Sequence, residues 1–569
     1  MTATHASKNT VASEIFPGEI KPGAFETQIK KNGVRSSFRG GNIYRHAGIV
    51  PLLDIRGDNL EMGLQYGVLM RPEILKSLDA FGRMIRWAAE SMNVGVEEYL
   101  KQLRSFALGM MAKVPDRFYN EARGISQGSG VPLDSILMVT CAYDFIMTGG
   151  CTSVLMRAEN GRVIHARNND TSSFGGAELG RITAVVRRQP VGLHTTVQLD
   201  YPLILGIESG FNNQGLAFTE ETLSVRQPNP DNFSVNILAR MILEECSSLE
   251  ELPAYFDRYP VIAGYGEVWS SQCEGRGWLV EQTHAGWAKK ELEGDILWDF
   301  NTIYSADLRK YEKIEKGLRN DDDREAVARC FPRKEHYTVQ DGINFIRASD
   351  DGTNDHIHFG TRQGICNAGT QQAMVFDPEG QGVYLAWGEQ YCSRANFYYI
   401  HEDFSIPPDL AAPQIPLSEK MIKMCEASFM LVQSAEKMAA YLGLAQEYPG
   451  EAHFQFQVVH QAFLLQKKEL FIQYAEKAYQ LQPNNAEYRL YAGIAAFWSG
   501  DEEESLRRLE CFGANELFPK EELYRLTVLE QISHERQDYS TELQVLLDRE
   551  NASEVYCQQI VPLIRAKDR

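Results

Sequence analysis

Apolar and polar positions alternate with different periods along this chain, and the changes of period divide it. Residues 1–45 show no sustained period and read as a loose leader. Leu52–Arg56 reads as a short apolar strand, and Gly57-Asp58-Asn59 opens a helix with Asp58 or Asn59 as N-cap. Leu60, Leu64, Gly67 and Val68 give that helix one close-packing face. Helical patterns continue over about 72–92, 96–113 and 116–126. Gly128-Ser129-Gly130 breaks the last, and another helix runs from Val131-Pro132-Leu133-Asp134 to about Phe145. Residues 46–150 are therefore predicted to be largely helical.

At Gly149-Gly150-Cys151 the period drops to two. Cys151–Arg157 and Arg162–Asn168 alternate on either side of Asn160-Gly161, which predicts a hairpin. Arg181–Arg188 pairs by the same reasoning with Leu193–Leu199, and Leu203–Ser209 with Leu216–Thr222. Helices follow near 233–245 and 248–256, then strands at 261–270, 277–283 and 286–291. A charged helical segment spans 306–329, and strands return at 372–376 and 382–387. Strands, helices and strands again predict an α+β layering for residues 151–405. Residues 406–569 form a further, all-α domain. There, helix pairs begin near 451, 485 and 519, a spacing of 34 residues that reads as tetratricopeptide-like. A plain helical cap is the competing reading.

The 569 residues are 44% hydrophobic and 24% charged, which excludes wholesale disorder. A net charge of −20 without a basic patch argues against nucleic-acid binding. No apolar run is long enough for a membrane-spanning helix, and residues 1–45 lack a signal-peptide core, so a cytoplasmic location is expected. Ten cysteines without a Cys-x-x-Cys pair argue against a disulfide framework and structural zinc, so most are expected to be buried apolar residues.

Cys151 is the exception with a chemical context. Arg167 and Asp170 lie 16 and 19 residues later, and a hairpin turning at Asn160-Gly161 brings them back beside it. A thiol, a guanidinium and a carboxylate then converge. The bland alternative is a packed cysteine and solvated strand-end charges. Four other features carry less. Gly124-Ile125-Ser126-Gln127-Gly128 fits Gly-x-Ser-x-Gly but follows a helix, not the strand that a nucleophile elbow needs. Asp355-His356-Ile357-His358 offers two ligands on one strand face and no further set. Cys366 reads as core, and Asp321-Asp322-Asp323 as an exposed helix start.

Gly149-Gly150-Cys151-Thr152-Ser153 with His165-Ala166-Arg167-Asn168-Asn169-Asp170 resembles the N-terminal nucleophile hydrolases of the acyl-coenzyme A:6-aminopenicillanic acid acyltransferase type, relatives of choloylglycine hydrolase, penicillin V acylase and acid ceramidase. Gly57–Gly67, Glu121–Val131 and the Gly210-Phe211-Asn212-Asn213-Gln214-Gly215 turn are similar to further segments of that family, so the resemblance runs over about 48–400. It implies a four-layer αββα sandwich and self-cleavage between Gly150 and Cys151, with residues 46–150 kept as the smaller chain. The precursor would be a zymogen, and the new terminal amine of Cys151 would take the thiol proton. Arg167 would favour the thiolate and Asp170 would orient the amine. Asn301 stands where the family puts an oxyanion donor, and Arg309 follows as a substrate or structural group. Glu221 departs from the pattern by standing where an Asn is expected. An ionised acid cannot donate there, so a cationic or amine-bearing substrate is one consequence. The implied activity is cleavage or transfer of the acyl group of a small N-acyl amide through a Cys151 thioester, with no metal and no cofactor. The alternative is a non-catalytic scaffold whose helical repeats bind a protein or peptide.

Overall fold

The computed structural model describes residues 30–32, 35–146, 150–170, 179–226, 228–312, 322–348, 364–367, 369–380, 382–388, 391–416, 419, 422–423, 427, 435–513, 517, 519–533, 539–549 and 556–564. The chain divides into two compact units. One comprises Met1–Glu312, Pro332–Arg347 and Cys366–Pro416, and the other Lys313–Phe331, Ala348–Ile365 and Leu417–Arg569. The Asp355-His356-Ile357-His358 motif and Asp321 lie outside the described residues.

In the first unit, β1 (Lys30–Asn32), β2 (Arg35–Phe38), β3 (Gly41–Tyr44) and β4 (Leu52–Gly57) begin one sheet, which continues after the hairpin of β5 (Gly150–Arg157) and β6 (Val163–Asp170). That sheet adds β7 (Ala184–Pro190), β8 (Thr196–Asp200), β9 (Ser209–Asn212), β10 (Leu216–Leu223), β11 (Gly264–Ser271), β12 (Arg276–Thr283) and β13 (Gly286–Glu291). Its eleven strands run in the order β1-β2-β3-β4-β7-β8-β9-β10-β11-β12-β13. The second sheet joins β5 and β6 to β14 (Ile296–Asp299), β15 (Thr370–Phe376), β16 (Gly382–Trp387), β17 (Phe397–His401) and β18 (Asp409–Ala412), in the order β14-β5-β6-β15-β16-β17-β18. Pairing is antiparallel except between β4 and β7.

Helices cover both outer faces. α1 (Asn59–Leu69), α2 (Arg71–Ser91), α3 (Val96–Met111), α4 (Asp116–Ser129), α5 (Leu133–Thr140), α6 (Ala142–Ile146), α7 (Val235–Glu245) and α8 (Leu252–Arg258) pack on the larger sheet through one continuous core that includes Phe81, Ile125, Phe218 and Trp269. On the smaller sheet, α10 (Val339–Arg347) lies against β6 and β15. The layering is αββα. α1 and α4 approach as closely as backbone allows. A Cβ on Gly63 or Gly67 would run into α4 backbone, and one on Gly124 or Gly128 into α1 backbone. Asp58 caps α1, its Oδ1 accepting from Glu61 N at 2.9 Å. Ser126 of the Gly-x-Ser-x-Gly match sits in the last turn of α4, not at a strand-to-helix elbow.

Two expectations need correction. The later part of the loose leader, residues 30–44, forms β1, β2 and β3, strands of three or four residues that are too short to show a period. Leu203–Ile207 is not a strand. Leu203 has φ 82, which breaks an extended chain. The carbonyls of Pro202, Leu203 and Leu205 accept from Ser77, Thr140 and Arg240, and Leu203 N donates to the Tyr66 hydroxyl. An apolar run whose backbone bonds go to helix side chains cannot be told from a buried strand by hydrophobicity. β10 pairs instead with the four-residue β9.

The second unit is helical. It holds α9 (Asp322–Cys330), α11 (Ala435–Glu447), and the pairs α12 (Ala452–Leu464) with α13 (Lys468–Leu481), α14 (Ala486–Ser499) with α15 (Glu502–Leu509), and α16 (Pro519–Ile532) with α17 (Tyr539–Arg549). Asn485 caps α14 and Gly500, at φ 87, ends it. Phe463 lies at its centre, with Phe471, Tyr491, Trp498 and Tyr524 rings within 5.2–5.5 Å. No helix among the described residues is long and apolar enough to cross a membrane.

Candidate active site

The hairpin of β5 and β6 turns at Asn160-Gly161, with Gly161 at φ 77 and Asn160 Oδ1 accepting from Arg162 N at 3.1 Å. The register opposes Cys151 to Asn169, Ser153 to Arg167 and Leu155 to His165. Because side chains alternate, 151, 153, 165, 167 and 169 face the larger sheet. Thr152, Val154 and Asn168 face the other way, and Asn168 Nδ2 donates to the Ile346 carbonyl of α10 at 2.8 Å. Thr219 and Glu221 of β10 point back toward the hairpin. The two sheets thus meet here through polar groups, between apolar patches around Met374 and Phe376 on one side and Leu155 and Leu279 on the other.

Arg167 is the centre of the arrangement and is fully buried. Its Nη2 lies 3.2 Å from Cys151 Sγ and also donates to the Glu220 carbonyl. Its Nη1 donates to the Glu208 carbonyl at 2.9 Å and to Ser209 Oγ, and its Nε faces Glu221 Oε1 at 3.9 Å. Burial works against its charge, but Cys151, Glu221, Glu220 and Glu208 outweigh burial and hold it protonated above the ordinary range. The same surroundings act on the thiol. Burial raises it, Arg167 lowers it, and Glu221, Asp170 and Glu220 raise it again, so that it is pushed up to about 12. At neutral pH Cys151 is a thiol that needs a base.

Asn301 follows β14 in a left-handed conformation, φ 69, which turns its amide toward β5. Its Oδ1 accepts from Cys151 N at 2.7 Å, and its Nδ2 donates to the Thr222 carbonyl at 3.0 Å. The amide therefore holds the nitrogen of residue 151, and its donor is engaged by backbone. Asp170 lies opposite Gly150 in the register, and its Oδ2 accepts from Asn367 Nδ2 at 2.8 Å. Glu221 is fully buried and accepts from Ser153 Oγ. The structure thus brings Cys151, Arg167, Asp170, Asn301 and Glu221 together. Arg309 lies in a single 3-10 turn, Arg309–Tyr311, and its backbone N donates to the Ser305 carbonyl at 3.0 Å.

Several neighbours were not singled out by sequence reasoning. Asn169 Oδ1 lies 3.8 Å from Cys151 Sγ, and its Nδ2 donates to Glu208 Oε2 at 3.1 Å and Gln372 Oε1 at 3.5 Å. Ser153 Oγ and Thr219 Oγ1 are 2.7 Å apart. His165 bonds Thr219 Oγ1 through Nε2 at 2.9 Å and Ser270 Oγ through Nδ1 at 3.0 Å. Burial, then the charge of Arg167, pushes His165 down to about 3, so it is neutral. A signal existed: Ser153, His165, Arg167 and Asn169 fall on one alternation of a buried hairpin, which marks a polar inner face.

Comparison with known proteins adds the relations of this chain. Residues 156–269 match the family model of acyl-coenzyme A:6-aminopenicillanic acid acyl-transferase, a segment that holds Arg167, Asp170 and Glu221 and begins after Cys151. Acid ceramidase of Mus musculus is 23% identical over 266 residues, and that of Rattus norvegicus 32% over 266 residues; each alignment covers 42% of this chain and 64% of the relative. The chain thus spans somewhat under two thirds of the length of the curated relatives it matches. Among solved structures, the Caenorhabditis elegans ortholog of N-acylethanolamine-hydrolyzing acid amidase aligns at TM-score 0.29 and 15% identity, covering 40% of this chain and 93% of its own. The conjugated bile acid hydrolase of Clostridium perfringens aligns at TM-score 0.29 and 12% identity, covering 47% and 99%.

Proposed function

We propose, from the premise that the chain is an N-terminal nucleophile hydrolase of the acyl-coenzyme A:6-aminopenicillanic acid acyltransferase and choloylglycine hydrolase type, that it cuts itself before Cys151 and then cleaves a linear N-acyl amide. The observation that carries this reading is the contact of 3.2 Å between Arg167 Nη2 and Cys151 Sγ, beside a backbone nitrogen held by Asn301. In the uncut chain that nitrogen is an amide and cannot act as a base. Attack of Sγ on the Gly150 carbonyl moves the acyl group from nitrogen to sulfur. Water then releases a Gly150 carboxylate and a Cys151 carrying both thiol and α-amine.

The α-amine supplies the base that the buried thiol lacks, since an amine of this kind titrates at roughly 7.7–8.0 and is partly free at neutral pH. It takes the proton from Sγ, and Arg167 stabilises the resulting thiolate. Sulfur attacks the substrate carbonyl, and the ammonium returns its proton to the leaving nitrogen. The acyl group is left on sulfur as a thioester, which water attacks with the amine again as base. Asn301 Oδ1 keeps the amine facing Sγ, and Asp170 supports its protonated form. The relatives named acid ceramidase support an N-acyl amide as the substrate class.

The test is direct. Purified wild type should run as two pieces on a denaturing gel, the larger beginning with Cys151, and Cys151→Ala as one. Wild type mixed with a panel of N-acyl amines should gain the mass of one acyl group on Cys151. An uncut wild type that acquires no acyl group from any of them would overturn the proposal.

A further inference from the structure

His165 is a fully buried, neutral imidazole whose two nitrogens both meet hydroxyls, and the reaction proposed above makes no use of it. The groups around it form an unbranched series across the two sheets. Ser270 on β11 meets His165 on β6, which meets Thr219 on β10, which meets Ser153 on β5, which meets Glu221 on β10. Glu221 then faces Arg167 Nε, and Arg167 touches Cys151 Sγ.

We infer that Ser270, His165, Thr219 and Ser153 form a one-way hydrogen-bond wire that holds Glu221 as the anionic counter-charge of Arg167 and so sets the reactivity of Cys151. This rests on the reading of Cys151 as the nucleophile. The direction follows from counting hydrogens. A carboxylate beside a guanidinium only accepts, so the single Ser153 proton points to Glu221. Ser153 Oγ must then accept from the Thr219 hydroxyl, whose one proton is thereby used. Thr219 Oγ1 in turn accepts from His165, which places the imidazole proton on Nε2. Nδ1 is left as an acceptor, and Ser270 donates to it. Every donor points toward Glu221, and bonds in such a chain polarise one another. Reversing all of them would need a proton on Glu221 Oε1, the oxygen that meets Ser153, and the imidazole proton on Nδ1. The tautomer of His165 therefore reports whether Glu221 Oε1, two hydroxyls away, accepts or donates.

The consequence for Cys151 follows from position. Titratable and charged groups around Glu221 include Arg167 and Cys151 on the hairpin, Glu220 on its own strand, Glu267 on β11, and the buried Asp299 of β14, which stands opposite Ser153 and reaches the Gly266 position across from Glu221. An anionic Glu221 offsets Arg167, which leaves less of its charge for the sulfur. The nucleophile then rests as a thiol until the terminal amine deprotonates it, instead of standing as a thiolate open to adventitious chemistry. Ser153, Thr219, His165 and Ser270 are on this account positioning residues, acting through Glu221 and Arg167. Glu221 itself is a counter-ion to Arg167, in place of the substrate contact expected from its position in the sequence.

Nitrogen NMR of full-length protein labelled at histidine, with the His165 signals assigned by their loss in His165→Gln, reads the tautomer. The proton should reside on Nε2. Thr219→Val, which keeps the shape and removes the hydroxyl, should move it to Nδ1, and Thr219→Ser should restore Nε2. Ser153→Ala removes one donor from Glu221. Glu221 then protonates more readily, and alkylation of Cys151 by iodoacetamide at fixed pH should speed up roughly tenfold, the effect of one pKa unit on the thiolate population. A wild-type proton on Nδ1, a tautomer insensitive to Thr219→Val in folded protein, or alkylation unchanged or slower in Ser153→Ala would each overturn the wire. The tautomer measurement needs neither self-cleavage nor amide turnover. If the wire stands while acyl transfer to Cys151 is never seen, the proposed reaction fails alone. If acyl transfer occurs with the proton on Nδ1, the wire fails alone.

Discussion

Two sets of buried arginines in the sandwich unit differ in what surrounds them. Around Glu121 of α4, every guanidinium has a carboxylate. Arg188 Nε lies 3.0 Å and Arg240 Nη2 2.5 Å from the two Glu121 oxygens, and Arg240 Nε is 2.8 Å from Glu244. Arg117 adds bonds to Glu244 and Glu245 at 3.2 and 2.5 Å. Around Arg167, by contrast, the Nη donors go to two carbonyls, a hydroxyl and a thiol, and the one carboxylate on its Nε side stands 3.9 Å away. The first set is closed on itself by opposite charges. The second directs a donor to a thiol that would change its charge in the proposed reaction. Burial of an arginine is thus no guide to its role, whereas the chemistry of its partners is. The closed set also ties Arg117 and Glu121, which precede Cys151, to Arg188, Arg240, Glu244 and Glu245, which follow it. It would hold the two pieces together after cleavage.

The largest expected effect is on the closed set. Glu121→Ala leaves two guanidinium groups buried without their shared acid, which should cost about 3–5 kcal/mol in urea unfolding. The activity of the molecules that still fold should persist. Arg167→Lys comes next and should show the reverse. Lys offers a point charge in place of a fork, so the contacts to both carbonyls and to the sulfur cannot all be kept. Acyl transfer to Cys151 should slow by roughly 10²–10³, the range for losing one donor at a reacting centre, with a smaller loss of stability. If Glu121→Ala abolished turnover per folded molecule while Arg167→Lys left it intact, the distinction between the two sets would be gone. A third, smaller effect separates sterics from charge on α4. Gly128→Ala should cost about 1–3 kcal/mol, because its Cβ would meet the backbone of α1 and neither helix can yield by turning a side chain.

The closed set and the Arg167 set were not equally legible in the sequence. The hairpin was legible because Asn160-Gly161 marks its turn, and one turn suffices to bring Arg167 and Asp170 back to Cys151. The close face of α1 was legible in the spacing of Leu60, Leu64, Gly67 and Val68. Asn169 and His165 lay inside a recognised motif, yet their partners Thr219 and Ser270 come from the other sheet and Glu208 from the segment leading into its β9, and no local pattern states how two sheets register. The Glu121 set was hidden for the same reason, since its members lie on α4, β7 and α7. Glu221 was seen as a departure, but only the position of Ser153 Oγ and Arg167 Nε shows what it faces. The short strands of residues 30–44 stay below the length at which alternation is a signal, and Leu203–Ile207 imitates a strand because its carbonyls are satisfied by helix side chains.

Varying the pH sharpens the comparison further, because the two neighbourhoods should titrate with opposite signs. For Glu121, burial raises the carboxyl, but Arg240 and Arg188 outweigh it and lower it from 4.5 to about 2. Its contribution to stability is present above the ordinary value and is lost as pH falls from there through about 2. Glu267 on β11 lies near the Arg167 set. Burial raises it, with Glu220 and Glu221 adding to the rise against the bonds from Trp269 and Gln282, so that it reaches about 8. An acid raised in the folded state stabilises most below its unfolded value, and stability declines as pH climbs from 4.5 toward 8. Glu267→Gln keeps the shape and can still accept from Trp269 Nε1, which lies 2.9 Å from the carboxylate. It should therefore remove the decline at high pH, so that the variant gains on wild type steadily as pH rises from 4.5 toward 8, while leaving the acid limb set by Glu121 in place. Urea midpoints measured between pH 3 and 9 decide it. A Glu267→Gln variant whose stability falls with rising pH as wild type does would mean that the acidic groups near Arg167 are as well compensated as those of the Glu121 set, and the contrast between the two would reduce to geometry alone.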